Sequence, residues 1–210
     1  MLCIPLRTDS EKKLYTLIKK ALAKKSDLLE IWLDDLQNPD IEKILTLAGK
    51  NVIFTNRTNA EDKNLLLAIT LGAKYLDLDI EKTPQKFIKK IAFAKRKTKL
   101  ILSFHDYKKL PSEKKLEEIL QKMLTLGGDI VKIAVQVQLK EEAEEVLSLL
   151  KKFKKILPKD KKIIMHPMGK SAKKKRFLAA DQGSHISYVA LSNDAKTASG
   201  QHLIDEWKKE

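Results

Sequence analysis

Eight times along this chain a short apolar run of strand length is followed by a stretch with helical period, and few folds accommodate that alternation. Residues 2–6, 28–33, 52–55, 75–80, 99–104, 130–135, 162–165 and 185–191 read as strands. Residues 10–24, 41–47, 61–71, 84–96, 112–126, 140–153, 173–180 and 200–209 read as helices. In the first of these helices Leu14, Leu17, Ile18, Ala21 and Leu22 fall on one face. Thr83-Pro84 places a threonine cap before a first-turn proline, Ser112 caps another helix, and Gly127-Gly128 closes it. Strands separated by helices run parallel and are buried on both faces, which explains their unbroken apolar character. Eight such modules without a glycine-rich dinucleotide turn predict a closed (β/α)8 TIM barrel, in the α/β class, over an open doubly wound sheet. Residues 1–210 form one domain in this reading.

Composition narrows the function classes. A hydrophobic content of 43% argues against disorder. The apolar runs are far shorter than the roughly 18 residues needed to span a bilayer, and Met1–Arg7 reads as a first strand with none of the features of a signal peptide. The single cysteine, Cys3, has no internal disulfide partner and reads as a small buried apolar residue. A cytoplasmic protein is expected. The net charge is +14, from 42 basic and 28 acidic residues. Only residues 151–162 and 170–176 are densely basic, and no nucleic-acid motif or aromatic ladder accompanies them. A lysine-rich solvated shell is therefore favoured over nucleic-acid binding, and its field would attract small anions.

Chemistry in such barrels lies at the C-terminal ends of the strands. Lys132 is the anomaly there, set within the apolar run Ile130-Val131-Lys132-Ile133-Ala134. A buried ammonium finds a partner or loses its proton, and a neutral amine attacks carbonyls. A lysine whose tip reaches solvent is the competing reading. Glu30 lies in an apolar strand as either a structural or a catalytic carboxylate. Asp77 and Asp79 share one face of their strand, and Asp77 is assigned only the satisfaction of inward polar groups. His105, directly after an apolar strand and one strand before Lys132, is placed as an acid/base. Arg57 and Glu61 share one loop, and the loops after strands seven and eight suit an anion. His166, His185 and His202 lack metal-ligand spacing and are read as structural or exposed; no metal and no cofactor are expected.

These residues together resemble the type I 3-dehydroquinate dehydratases, the Schiff-base class of the shikimate pathway. Leu2–Arg7 is similar to the family's opening strand and Leu29-Glu30 to its acidic second-strand motif. Arg57 and Glu61 keep the family's spacing, and Ser103–Tyr107 matches its Ser-Tyr-His-Asp-Phe run apart from aromatic exchanges. Asp129–Ala134 resembles the strand bearing the imine-forming lysine. Met168-Gly169 with Arg176, then Gly183-Ser184, and the ending Thr197–Gln201 resemble the remaining motifs in order. The chain departs at Trp32, where the family has Arg, at Lys175 and Thr197, where it has Ser, and at Ser199, where it has Pro.

The resemblance implies a lyase that dehydrates 3-dehydroquinate to 3-dehydroshikimate, in aromatic amino acid biosynthesis. Lys132 would form the imine, His105 would act as acid and base, and Glu61 would orient the imidazole. Glu30 and Arg57 would bind ring hydroxyls, while Arg176, Thr197 and Gln201 would hold the substrate carboxylate. The partner is then a small anionic substrate; the oligomeric state stays open, a homodimer included. Two alternatives stand beside it: another lysine-imine barrel such as a class I aldolase, and a non-catalytic basic barrel that binds nucleic acid.

Overall fold

A computed structural model describes residues 1–57 and 63–208 of the chain. Eight parallel strands form one nearly closed barrel, in the hydrogen-bonded order β7-β6-β5-β4-β3-β2-β1-β8. They are β1 (Leu2–Leu6), β2 (Leu28–Trp32), β3 (Val52–Asn56), β4 (Tyr75–Asp79), β5 (Lys99–Asp106), β6 (Ile130–Gln136), β7 (Lys162–Met168) and β8 (Ser187–Tyr188). The outer helices are α1 (Glu11–Ala23), α2 (Ile41–Ala48), α3 (Lys63–Thr70), α4 (Gln85–Ala94), α5 (Glu113–Thr125), α6 (Lys140–Ile156), α7 (Lys175–Asp181) and α8 (Ile204–Trp207). This is the TIM-barrel arrangement that the alternation predicts. Among the described residues no helix is long and apolar enough to cross a membrane.

The apolar residues divide into two cores because each strand is buried on both sides. The larger core lies between the sheet and the helices, where Leu14, Ile18 and Ala21 of α1 meet Ile4 and Leu6 of β1. The smaller core fills the lower barrel with Cys3, Leu28, Ile53, Tyr75, Ile101, Ile130, Ile164 and Ile186. Side chains of one strand face alternate at period two, so two residues further along, the inward positions are Glu30, Thr55, Asp77, Ser103, Lys132, His166 and Tyr188. A polar layer thus stands on an apolar floor.

Several boundaries differ from the sequence expectation. Ser112 and Ser10 do cap their helices, accepting from the Lys115 and Lys13 amides. Thr83 does not: Pro84 is the flanking residue of α4, with extended backbone and no side-chain cap bond. Strand β8 is two residues long, not the seven expected. The β7–β8 seam explains this, because side chains close it where a ladder is missing. His166 Nε2 lies 2.7 Å from the Ile186 carbonyl, and Ser184 Oγ accepts from the Met165 amide at 3.1 Å. The last helix is also shorter than predicted, beginning at Ile204 after the turn that carries Gln201.

Candidate active site

Lys132 Nζ donates to Asp77 Oδ2 at 2.6 Å and lies 3.4 Å from Glu30 Oε1. Its side chain is only 5% exposed, which overturns the reading of a lysine tip in solvent. The tip also lies 4.1 Å from the centre of the Tyr188 ring, whose π-face attracts a cation. Asp77 is more than a filler of inward polar positions: among the described residues it is the closest anion to Lys132. Burial pushes its carboxyl up, but Lys132, Arg57 and His105 outweigh this and hold it below the usual carboxylate range. Ser103 Oγ occupies the other Asp77 oxygen at 2.5 Å.

Glu30 is held through both of its oxygens as well, with acceptor capacity left on Oε2. It accepts from Trp32 Nε1 at 2.9 Å and from Thr55 Oγ1 at 3.0 Å, and Arg57 Nη2 lies 3.7 Å away. The Arg57 backbone amide is anchored to Asp34 at 2.9 Å. One layer up, His105 Nδ1 lies 3.2 Å from Asp79 Oδ2, and the imidazole stacks on Tyr107 with ring centres 5.8 Å apart. Burial lowers the His105 pKa to about 4, assisted by Arg57 and opposed by the Asp79 bond, so the ring is neutral near pH 7. The expected orienting residue, Glu61, lies outside the described residues; among those described, Asp79 holds this ring.

Arg176 is buried, with one Nη2 contact of 3.3 Å to the Tyr188 carbonyl. Desolvation lowers its pKa to about 10, and no carboxylate among the described residues pairs with it. A buried guanidinium with no counter-ion among the described residues is chemically suited to an anion. Gln201 Oε1 is taken by the Thr197 amide at 2.9 Å and by Thr197 Oγ1 at 3.4 Å, which leaves Gln201 Nε2 buried and without a partner. His166 Nδ1, the Tyr188 hydroxyl and Arg57 Nε are likewise buried and unpartnered.

One cavity brings these groups together. Lys132, His105, Glu30, Arg57, Arg176, Thr197 and Gln201 all line it, with Trp32, Tyr107, His166, Met168 and Tyr188. The sequence reading missed the part that Asp77, Asp79, His166 and Tyr188 take here. A usable signal existed for the two aspartates: period-two carboxylates on the strand next to that of His105 point into the barrel. His202 and His185 stand apart from the cavity, the former packed 3.9 Å from Phe177. No group of three or more His, Cys, Asp or Glu among the described residues is arranged to hold a metal ion.

Known proteins share the family and the fold. The profile of the family described as Type I 3-dehydroquinase matches residues 2–209. The chain is 32% identical over 221 residues to a 3-dehydroquinate dehydratase of Methanocaldococcus jannaschii, with all of this chain and 96% of that protein covered. It is 34% identical to the enzyme of that name from Methanosarcina acetivorans, covering 95% and 89% of the two chains. A solved 3-dehydroquinate dehydratase from Geobacillus kaustophilus shares the fold with a TM-score of 0.86 at 20% identity, covering 99% of this chain and 88% of that one.

Proposed function

Because this chain belongs to the type I 3-dehydroquinase family, we propose that it dehydrates 3-dehydroquinate to 3-dehydroshikimate through an imine on Lys132. The observation that carries the reading is the Lys132 amine, buried between Asp77 and Glu30 on the floor of a cavity that also holds His105 and Arg176. The ammonium passes two protons in all to the C3 oxygen: as the amine attacks the ketone that oxygen becomes a hydroxyl, and it then departs as water to leave a cationic imine. The two carboxylates that pair the ammonium then pair the iminium, so the layer keeps its charge balance.

Loss of the C2 proton would otherwise leave a carbanion, and the iminium takes up that electron pair as an enamine. His105 takes the C2 proton. Its depressed pKa keeps it in the base form at neutral pH, and the bond that Nδ1–H donates to the Asp79 carboxylate leaves Nε2 as the nitrogen for this transfer. The resulting imidazolium returns its proton to the C1 hydroxyl, which leaves as water while the enamine pair forms the new double bond. A second water hydrolyses the conjugated imine and frees Lys132. Glu61, which the resemblance implies as an orienting residue for the imidazole, joins this account only through that resemblance.

Substrate binding follows from the same lining. Arg176 and the free Gln201 amide, steadied by Thr197, offer donors to the carboxylate, and Glu30 with Arg57 faces the ring hydroxyls. No feature of this cavity favours the aldolase or the nucleic-acid alternative. Borohydride added with 3-dehydroquinate should trap a covalent adduct that peptide mass mapping assigns to Lys132, and untreated protein should raise the absorbance of the conjugated product. An adduct on another lysine, or no absorbance change at high enzyme concentration, counts decisively against the proposal.

A further inference from the structure

Trp32 lies within contact range of two cations. The Arg57 guanidinium carbon is 4.3 Å from its ring centre and that of Arg7 is 4.1 Å from it. Arg7 is the outer of the two, with its side chain 46% exposed, and Arg57 the inner, at 7%. The outer cation is fixed: Arg7 pairs with Asp35 through two bonds of 2.8 Å. The inner cation is not fixed in that way. The Arg57 guanidinium approaches Glu30 and Asp77 only at 3.7 and 3.8 Å, reaches the Tyr107 hydroxyl at 3.4 Å, and has an unpartnered Nε. Stacking on Trp32 therefore positions this guanidinium and leaves much of its N–H edge for a ligand. The indole N–H at the same time donates to Glu30 Oε2 at 2.9 Å. One side chain thus touches both members of the Glu30–Arg57 pair, an acceptor beside a donor, which suits two neighbouring hydroxyls on a ring.

We propose that Trp32 is the positioning residue of the hydroxyl-binding end of the cavity, holding Arg57 between itself and the ligand and orienting Glu30. The inference rests on the dehydratase reading above. Trp32 does not reach the reacting carbons in this account, so its removal acts on KM more than on kcat and leaves imine formation intact.

Steady-state kinetics with 3-dehydroquinate on four single variants and one double variant tests this. Trp32→Phe keeps a stacking face and loses the N–H, and KM should rise about 3-fold. Trp32→Leu loses both, and KM should rise about 10- to 100-fold with kcat within about 5-fold. Arg57→Lys alone should be harmful, yet should add little in the Trp32→Leu background, because the two act as one unit. Arg7→Met removes only the outer cation and guards against misfolding of the inner variants; it should raise KM by about 2-fold. Borohydride adducts should still form in Trp32→Leu at saturating substrate. Unchanged KM in Trp32→Leu, or losses that multiply with Arg57→Lys, overturn the proposal while wild-type turnover keeps the dehydratase reading. Wild-type protein without turnover overturns both.

Discussion

Removing the Lys132 amine leaves Asp77 and Glu30 buried with Arg57, at 3.7–3.8 Å, as the nearest remaining cation. Lys132→Ala should therefore do more than end turnover and adduct formation. Breaking a buried pair from one side costs about 3–5 kcal/mol, so the variant should unfold at lower urea concentration at pH 7. The deficit should narrow toward pH 5, where the stranded carboxylates take up protons in the folded variant. Equal midpoints for the two proteins at pH 7 would show that the pair does not contribute to stability. His105→Ala makes a different demand. Turnover should fall by roughly 10²–10⁴-fold, but Lys132 should still yield a borohydride adduct, since the imidazole moves a proton only after the imine exists. An intact rate in that variant would remove the histidine from the mechanism.

At the level of elements, the loops after β7 and β8 interlock through glycine. Gly169 has φ +112°, and a Cβ there would come within 2.6 Å of both the Val137 carbonyl and Gln136 Nε2. Its amide donates to the Ser199 carbonyl at 3.2 Å, and a Cβ on Gly200 would meet the Gly169 carbonyl at 2.3 Å. Gly169→Ala must shift backbone that leads to Arg176 on one side and Gln201 on the other. A stability loss of about 1–3 kcal/mol is expected, with KM rising more than that loss implies; calorimetry beside kinetics separates the two, and an unchanged KM would detach these loops from substrate binding. The strands and helices were legible in the sequence because burial on both strand faces and on one helix face writes two different periods. The short β8 was not, because its apolar run persists through Val189 and Ala190 while side chains of His166 and Ser184 replace the ladder. Lys132, His105, Glu30, Arg57, Arg176, Thr197 and Gln201 could be collected as polar residues at strand ends and their loops. Their pairings could not: the Asp77–Lys132 and Asp79–His105 contacts depend on barrel stagger, which no local pattern records.

Across the whole molecule the protons taken up on unfolding link these local contacts to stability. His166 and His105 are buried, and desolvation lowers their pKa values to about 3 and about 4. The unfolded chain has histidines near 6.5. Between about pH 6.5 and pH 4 the unfolded state therefore binds more protons than the folded state, and stability rises with pH across that window. Each of the two can contribute a slope of up to about 1.4 kcal/mol per pH unit. His185 and His202 are also lowered by burial and act in the same sense. Asp79 and Asp77, held low despite burial by His105 and Lys132 respectively, extend the loss of stability below about pH 4, whereas Asp34, raised by burial, works against the histidines above about pH 4. Urea unfolding should accordingly show a protein much less stable at pH 5 than at pH 7. His166→Gln keeps an N–H for the Ile186 carbonyl and removes one titrating group, so the difference between pH 5 and pH 7 should shrink by about one histidine's share. A wild-type protein equally stable at both pH values would mean that the barrel interior does not hold these rings neutral, and with that the base form of His105 at neutral pH would lose its physical explanation.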